Sequence, residues 1–281
     1  MGFVRELNPG IRPSPILRAI SMGVTARGML LPGMRSVHVD ISTVSDQLVR
    51  KFASRVAMSA ADCALVAGLP FKVRTIDAST YMLREGQRPT RCAFIIEGLA
   101  YRQKLTPNGE REIVSIIMPG EFVDLQNLFL EESDHDIQAL TRLTLAEVPI
   151  STLRELIVSC PAAGHALWVD ALIESSIHRE WLLNVGRRNA RTRLAHLLCE
   201  FSVRFRKSAG NDMAYELPMT QEQLGDALGL TPVHVNRVLK SLESAGLIAR
   251  KKQQVSVIDW PGLRDTAEFN ERYLHLNQTR I

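Results

Sequence analysis

The chain lacks most of the residue patterns that mark easily recognised chemistries. Its four cysteines, Cys63, Cys92, Cys160 and Cys199, lie far apart and form no C-x-x-C pair. This argues against a zinc ribbon, a clustered iron–sulfur site and a disulfide framework, and it fits a reducing cytoplasm. No run of about 18 apolar residues occurs, so no membrane span is expected. Residues 1–34 scatter arginines, prolines and glycines where a secretory signal would place a compact apolar core. A nucleophile elbow and a phosphate-cradling glycine loop are both missing. Neither sign of charge dominates: 34 basic and 30 acidic residues leave +4 over 281 residues, which permits nucleic-acid binding without selecting it.

What is present is an ordinary globular composition, 46% hydrophobic and 23% charged, long enough for two folded units. Residues 1–45 read as a flexible extension, with Met34 or Met58 as alternative starts of translation. The stretch from Asp46 to Leu69 predicts one or two short helices, the second capped by Ser59. From Phe71 to Ile150 the glycines Gly86, Gly98, Gly109 and Gly120 recur every 11 or 12 residues between β-rich runs. That beat predicts a small antiparallel barrel or jelly roll, and Asn108-Gly109 is its clearest hairpin. A short helix, STLRELIVS, stops before Pro161. Residues 162–185 then form one long helix on which Val169, Ile173, Ile177, Trp181 and Val185 make an apolar seam at i, i+4 spacing, flanked by Leu172 and Leu182. The seam can pack inside its own domain or against a second subunit, and the second is favoured.

Beyond Arg187, the helix RNARTRLAHLLCEFSVRFRK sets Leu194, Leu197, Leu198 and Phe201 on one side, and a polar loop follows. The most informative segment is MTQEQLGDALGLTPVHVNRVLKSLESAGLIARKKQQVSVID, residues 219–259. Thr220 with Gln223 makes a capping box, and Gly229 ends that helix. Thr231 caps a second helix with Pro232 at its first position. Helix, glycine turn and helix within about 20 residues form a helix-turn-helix. At about 100° per residue, Val235, Val238, Leu239 and Leu242 share one side. Opposite them stand Val233, His234, Asn236 and Arg237, candidates for reading base edges, with Arg suited to guanine and Asn to adenine. Thr220, Gln221, Thr231, Lys240 and Ser241 suit the DNA backbone. So do Arg250, Lys251 and Lys252, in the basic turn of a wing made by two short strands, though a solvated charged hairpin is an equal reading of that turn alone.

These residues carry a family resemblance. LREGQ, FIIEGLA, NGE and PGEF in the strand-rich block, RNARTRLAHLL, and TQEQLGDALGLTPVHVNRVLKSLESAGLI resemble the Crp/Fnr family of bacterial regulators over residues 46–260. The resemblance implies a parallel dimer along the long helix, binding to near-palindromic DNA, and recruitment or blocking of RNA polymerase. It also exposes departures. Cyclic-nucleotide-binding members carry Gly-Glu-Leu and an Arg-Ser or Arg-Thr pair where this chain reads Asp124-Leu125-Gln126 and His135-Asp136. The loop between them is acidic, with Glu131, Glu132 and Asp134, so a cyclic phosphate would be repelled. At the start of the reading helix the usual Arg-Glu is replaced by Pro232-Val233, while Arg237 matches the family's later arginine.

The expected fold class is therefore α+β. Residues 1–45 are an extension, 46–160 a cyclic-nucleotide-binding-like β-barrel or jelly roll, 161–186 a dimerisation helix, 187–265 a winged helix-turn-helix, and 266–281 a tail. The expected function is sequence-specific regulation of transcription by a cytoplasmic homodimer, with double-stranded DNA as partner and no cofactor, metal or membrane; the effector is unknown. The alternative, a metal-dependent jelly-roll enzyme, needs converging histidines, and the barrel block holds only His135, expected on a solvated loop. Cys92 and Cys199 read as small buried hydrophobes, His165 and His178 as surface or interface residues, and Trp181 as seam packing.

Overall fold

A computed structural model describes residues 40–209 and 214–276. Most of the expected flexible extension thus lies outside the described residues, and its end falls earlier than expected. Helix α1 (Ile41–Ala53) already begins at Ile41, because Asp40 caps it by accepting from the Ser42 amide at 3.1 Å. Helix α2 (Ala60–Ala67) starts at Ser59, which forms a capping box with Asp62.

Eight strands follow: β1 (Lys72–Ile76), β2 (Tyr81–Leu83), β3 (Arg91–Glu97), β4 (Ala100–Leu105), β5 (Arg111–Ile117), β6 (Phe122–Val123), β7 (Asp136–Ala139) and β8 (Leu143–Pro149). They make two antiparallel four-stranded sheets, ordered β1-β8-β3-β6 and β2-β7-β4-β5, the two faces of a jelly roll. The four spaced glycines all sit at turns with positive φ. Ile95, Ile117, Ile137, Leu143 and Leu145 fill the space between the sheets. Phe52, Phe94, Phe122 and Leu153 belong to a second cluster that joins the roll to the flanking helices.

Helix α3 (Ile150–Ser159) breaks at Cys160, and α4 (Pro161–Arg187) starts with its proline at the first position. α4 is the long helix of the sequence pattern, but its apolar seam faces its own chain. Val169, Ile173 and Trp181 are buried, Ile177 packs half-buried on the core, and Val185 is half-buried beside Gly229. The expected dimer seam is therefore an inward face. Turned outward are His165, Trp168, Leu172, Ser175, Arg179 and Leu182, alternating three and four residues apart. Trp168, Leu172 and Leu182 are 60%, 52% and 75% exposed. Among the described residues no single helix is long and apolar enough to cross a membrane.

The C-terminal unit comprises α5 (Ala190–Ala209), β9 (Ala214–Glu216), α6 (Gln221–Leu228), α7 (Pro232–Ser244), the hairpin β10 (Ile248–Lys251) and β11 (Gln254–Val257), and α8 (Trp260–Thr266). β9, expected as loop, adds a third strand beside β11. The described part of the expected tail, residues 266–276, is also structured. A 3-10 turn at Glu271–Leu274 buries Tyr273 and Leu274, and the Tyr273 hydroxyl donates to Glu200 at 2.8 Å. Leu99, Tyr101, Ile113 and Ile116 of the roll share one hydrophobic cluster with α5, α6 and α7.

Polar contacts close that junction. Arg111 of β5 donates from Nε to Asp226 of α6 at 2.7 Å. The adjacent Glu112 carboxyl is pushed up to about 7, first by burial and then by the charge of Asp226, against the pull of Arg193. A carboxyl raised in the folded state favours folding at low pH, an advantage present below its ordinary value and lost as pH rises through about 7. Glu112→Gln should therefore leave the thermal midpoint nearly unchanged at pH 5 and raise it at pH 8 by about 2–4 °C. Melting curves of both proteins across that range check it; a constant offset at every pH would contradict it.

Candidate nucleic-acid interface

α6 and α7 are positioned by local chemistry. Thr220 Oγ1 accepts from the Gln223 amide at 3.1 Å, while Gln223 Oε1 accepts from the Thr220 amide at 2.9 Å. Gly229, at φ 61° and ψ 44°, ends α6 in the left-handed region. Gly225 meets a tighter demand: a Cβ there would lie 2.4 Å from the Leu230 carbonyl oxygen. Thr231 then caps α7 by accepting from the His234 amide at 3.3 Å. From α5, Arg193 donates to the carbonyl oxygens of Leu228 at 2.9 Å and Arg188 at 2.8 Å, bracing the turn between the two helices.

α7 buries Val235, Val238, Leu239 and Leu242, as its periodicity predicts. Its opposite side presents Val233, Arg237, Lys240 and Ser241 to solvent, with His234 and Asn236 half-buried. Arg237 and Lys240 have no hydrogen-bond or ion-pair partner among the described residues, and the same holds for exposed Lys251 and Lys252 on the wing. The wing turn is Lys252-Gln253, with Lys252 at φ 56°, and of the expected turn residues Arg250 and Lys251 instead end strand β10. Thr220, Gln221 and Thr231 are exposed at the helix starts.

Besides the capping threonines, two further backbone candidates are engaged within the chain. Arg250 turns back to pair with Glu243 of α7 at 2.7 Å, so its guanidinium ties the wing to the helix. Ser241 Oγ accepts from Arg191 of α5 at 2.6 Å. Arg191 and Arg193 both belong to the RNARTR motif; their roles are not legible there because the contacts they make to α6 and α7 span 35 and 50 residues.

The roll carries a separate cleft of about 960 Å³ against α4, lined by Lys104, Leu128, Phe129, Trp168, His178 and Leu182 among others. At its base, Arg102 donates from Nε to Asp124 at 3.0 Å and from Nη1 to Ser115 at 3.1 Å, and it pairs with Glu174 of α4. Asp124 also meets His135 Nε2 at 2.9 Å and Asn127 Nδ2 at 3.1 Å. Burial works to raise the Asp124 carboxyl, but the His135 hydrogen bond and the Arg102 charge hold it below the usual range. His135 is thus buried in an ion-paired network, which corrects the expected solvated loop; Ser133 and Asp136 beside it are buried too. His178 is pulled down to about 4 by burial and then by the Arg102 charge, and so stands neutral. Among the described residues no three His, Cys, Asp or Glu side chains converge to hold a metal.

Comparison with known proteins agrees with this arrangement. The Crp-like helix-turn-helix domain matches residues 192–266, and the cyclic nucleotide-binding domain matches residues 73–160, together more than half of the chain. The chain belongs to the Crp/Fnr family of transcription regulators. A relative within it, the transcriptional activator protein FnrL of Cereibacter sphaeroides, is 29% identical over 69% of this chain and 79% of its own. A probable transcriptional activator of Rhizobium leguminosarum bv. viciae is 29% identical over 62% of this chain and 72% of its own. Among solved structures, FixK2 from Bradyrhizobium japonicum superposes with a TM-score of 0.64 at 20% identity, covering 70% of this chain and 98% of its own. A Crp/Fnr-family transcriptional regulator from Thermus thermophilus, TTHA1359, gives 0.56 at 21% identity, over 70% and 99%. Both share the Crp/Fnr fold.

The close approach at Gly225 gives a direct test of the helix-turn-helix geometry. Gly225→Ala forces the α6–α7 turn apart and should destabilise the fold by about 1–3 kcal/mol. A urea midpoint equal to that of the parent protein would show that the turn yields without cost.

Proposed function

We propose that this Crp/Fnr regulator binds duplex DNA as a homodimer, reads a near-palindromic site with one α7 per half-site, and acts on transcription by contacting RNA polymerase. The observation that carries this reading is the set of exposed, uncommitted cations on the two elements, Arg237 and Lys240 on α7 and Lys251 and Lys252 on the wing. Phosphates can engage the lysines without first breaking an ion pair, and each such contact releases counterions. Arg237 suits the O6/N7 edge of guanine, with Asn236, His234 and Val233 beside it in the major groove. Thr220, Gln221, Thr231 and Ser241 fix the register through the backbone, and Arg250 serves as a brace.

The outward stripe of α4, with its alternating spacing of three and four, suits pairing with the same stripe of a second copy. Two paired α4 helices place two α7 helices for half-sites about one DNA turn apart. The names of the relatives favour activation as the mode of control. A cytoplasmic, non-enzymatic role fits the same family setting. The cleft residues do not fit a cyclic phosphate, because Asp124 and Glu174 already engage the arginine and the neighbouring loop is acidic.

Arg237→Ala should weaken binding to the specific site by about 1–3 kcal/mol per half-site, read by footprinting or gel shift. Parent binding should fall steeply with salt. An unchanged footprint would defeat the assignment of α7. Leu172→Glu with Leu182→Glu should convert the dimer to a folded monomer in sedimentation; a variant that stays dimeric would move the interface off α4.

A further inference from the structure

The first turn of α7 holds an apolar side chain where solvent would tolerate any polar one. Val233 is 71% exposed, whereas the other aliphatic residues of that helix, Val235, Val238, Leu239 and Leu242, are all buried. Val233 therefore contributes nothing to the core that the helix is built to cover. It stands four residues before Arg237, and residues at that spacing share a face, one turn apart. Four residues rise about 6 Å along a helix, and stacked base pairs repeat about every 3.4 Å along DNA. Val233 and Arg237 thus reach base edges no more than about two steps apart.

The base edges differ in what they offer such a residue. In the major groove guanine, cytosine and adenine present hydrogen-bonding groups, and only thymine adds an apolar one, its C5 methyl. A valine can neither donate nor accept. Pressed against the cytosine or adenine amino group it would strip water and return nothing, so it rejects as well as selects. Against a thymine methyl it buries apolar surface on both sides.

We propose that Val233 is a specificity-determining residue that selects a thymine within two base pairs of the guanine engaged by Arg237, by burying that thymine's C5 methyl. This rests on the reading of α7 as the base-reading helix.

The test uses the full chain and DNA in which one methyl is removed. Selection from random duplexes identifies the half-site, which should contain thymine one or two pairs from a guanine. Replacing that thymine by uracil in both half-sites keeps every hydrogen-bonding group and deletes only the methyl. Binding should weaken about fourfold per half-site, the equivalent of about 0.8 kcal/mol for one buried carbon. Val233→Ala should shrink the difference between thymine and uracil, and Val233→Ile should retain it. If uracil and thymine bind alike while Arg237→Ala still weakens binding, the assignment of Val233 fails and the reading of α7 stands. If Arg237→Ala is also without effect on the selected site, both fail. Selection of half-sites with no thymine in reach of the guanine would likewise overturn the proposal.

Discussion

The inward face of α4 is held by charges that are largely withdrawn from water, and the rest of the molecule is arranged around them. Asp170 takes Lys51 of α1 at 2.8 Å and Arg55, just beyond the end of that helix, at 2.7 Å. One turn on, Glu174 takes Arg102 from inside the roll, and two turns further Trp181 donates to Glu200 of α5 at 3.0 Å. Breaking a buried pair by removing one partner typically costs about 3–5 kcal/mol, since the other charge is left stranded. α4 is therefore fixed in rotation as well as position, and that fixation decides which of its side chains can meet another molecule.

The same constraint links the roll to the DNA-binding unit. They are not beads on a linker, because Tyr101, Ile113 and Ile116 of the roll lie in one cluster with the helices of the C-terminal unit. Arg204 of α5 reaches across to the Ile116 carbonyl oxygen at 3.0 Å and to Glu121 at 2.9 Å. A change in the strands β4 and β5 is felt directly by the helices that carry the reading face.

Much of this is legible in the sequence, and the reasons divide cleanly. Caps are local: Ser59, Thr220, Gly229, Thr231 and Pro232 each mark a helix end within three residues, and each holds. The glycine beat likewise marks real turns, because a positive φ is a property of one residue. The buried face of α7 follows from periodicity alone, since a short helix has one neighbour to pack on. The long helix has two kinds of neighbour, and periodicity finds an apolar stripe without saying what covers it. The more uniform seam, Val169 to Val185, belongs to the interior, and the outward stripe is obscured by Ser175 and Arg179. His135 reads as solvated because its neighbours are acidic, but its partner Asp124 is eleven residues away. Arg250, which reads as a free wing charge, is neutralised by Glu243 on the preceding helix.

Glu200 shows what such distant partnerships mean for the ends of the chain. Its buried carboxylate receives Trp181 from α4, Arg204 from its own helix, and the Tyr273 hydroxyl at 2.8 Å. Burial and this acidic neighbour together suppress ionisation of the phenol, so the tyrosine stays a donor. The residues after α8 are thus a keystone: trimming the chain ahead of Asn270 would leave an anion in the middle of the protein short of one of its three donors.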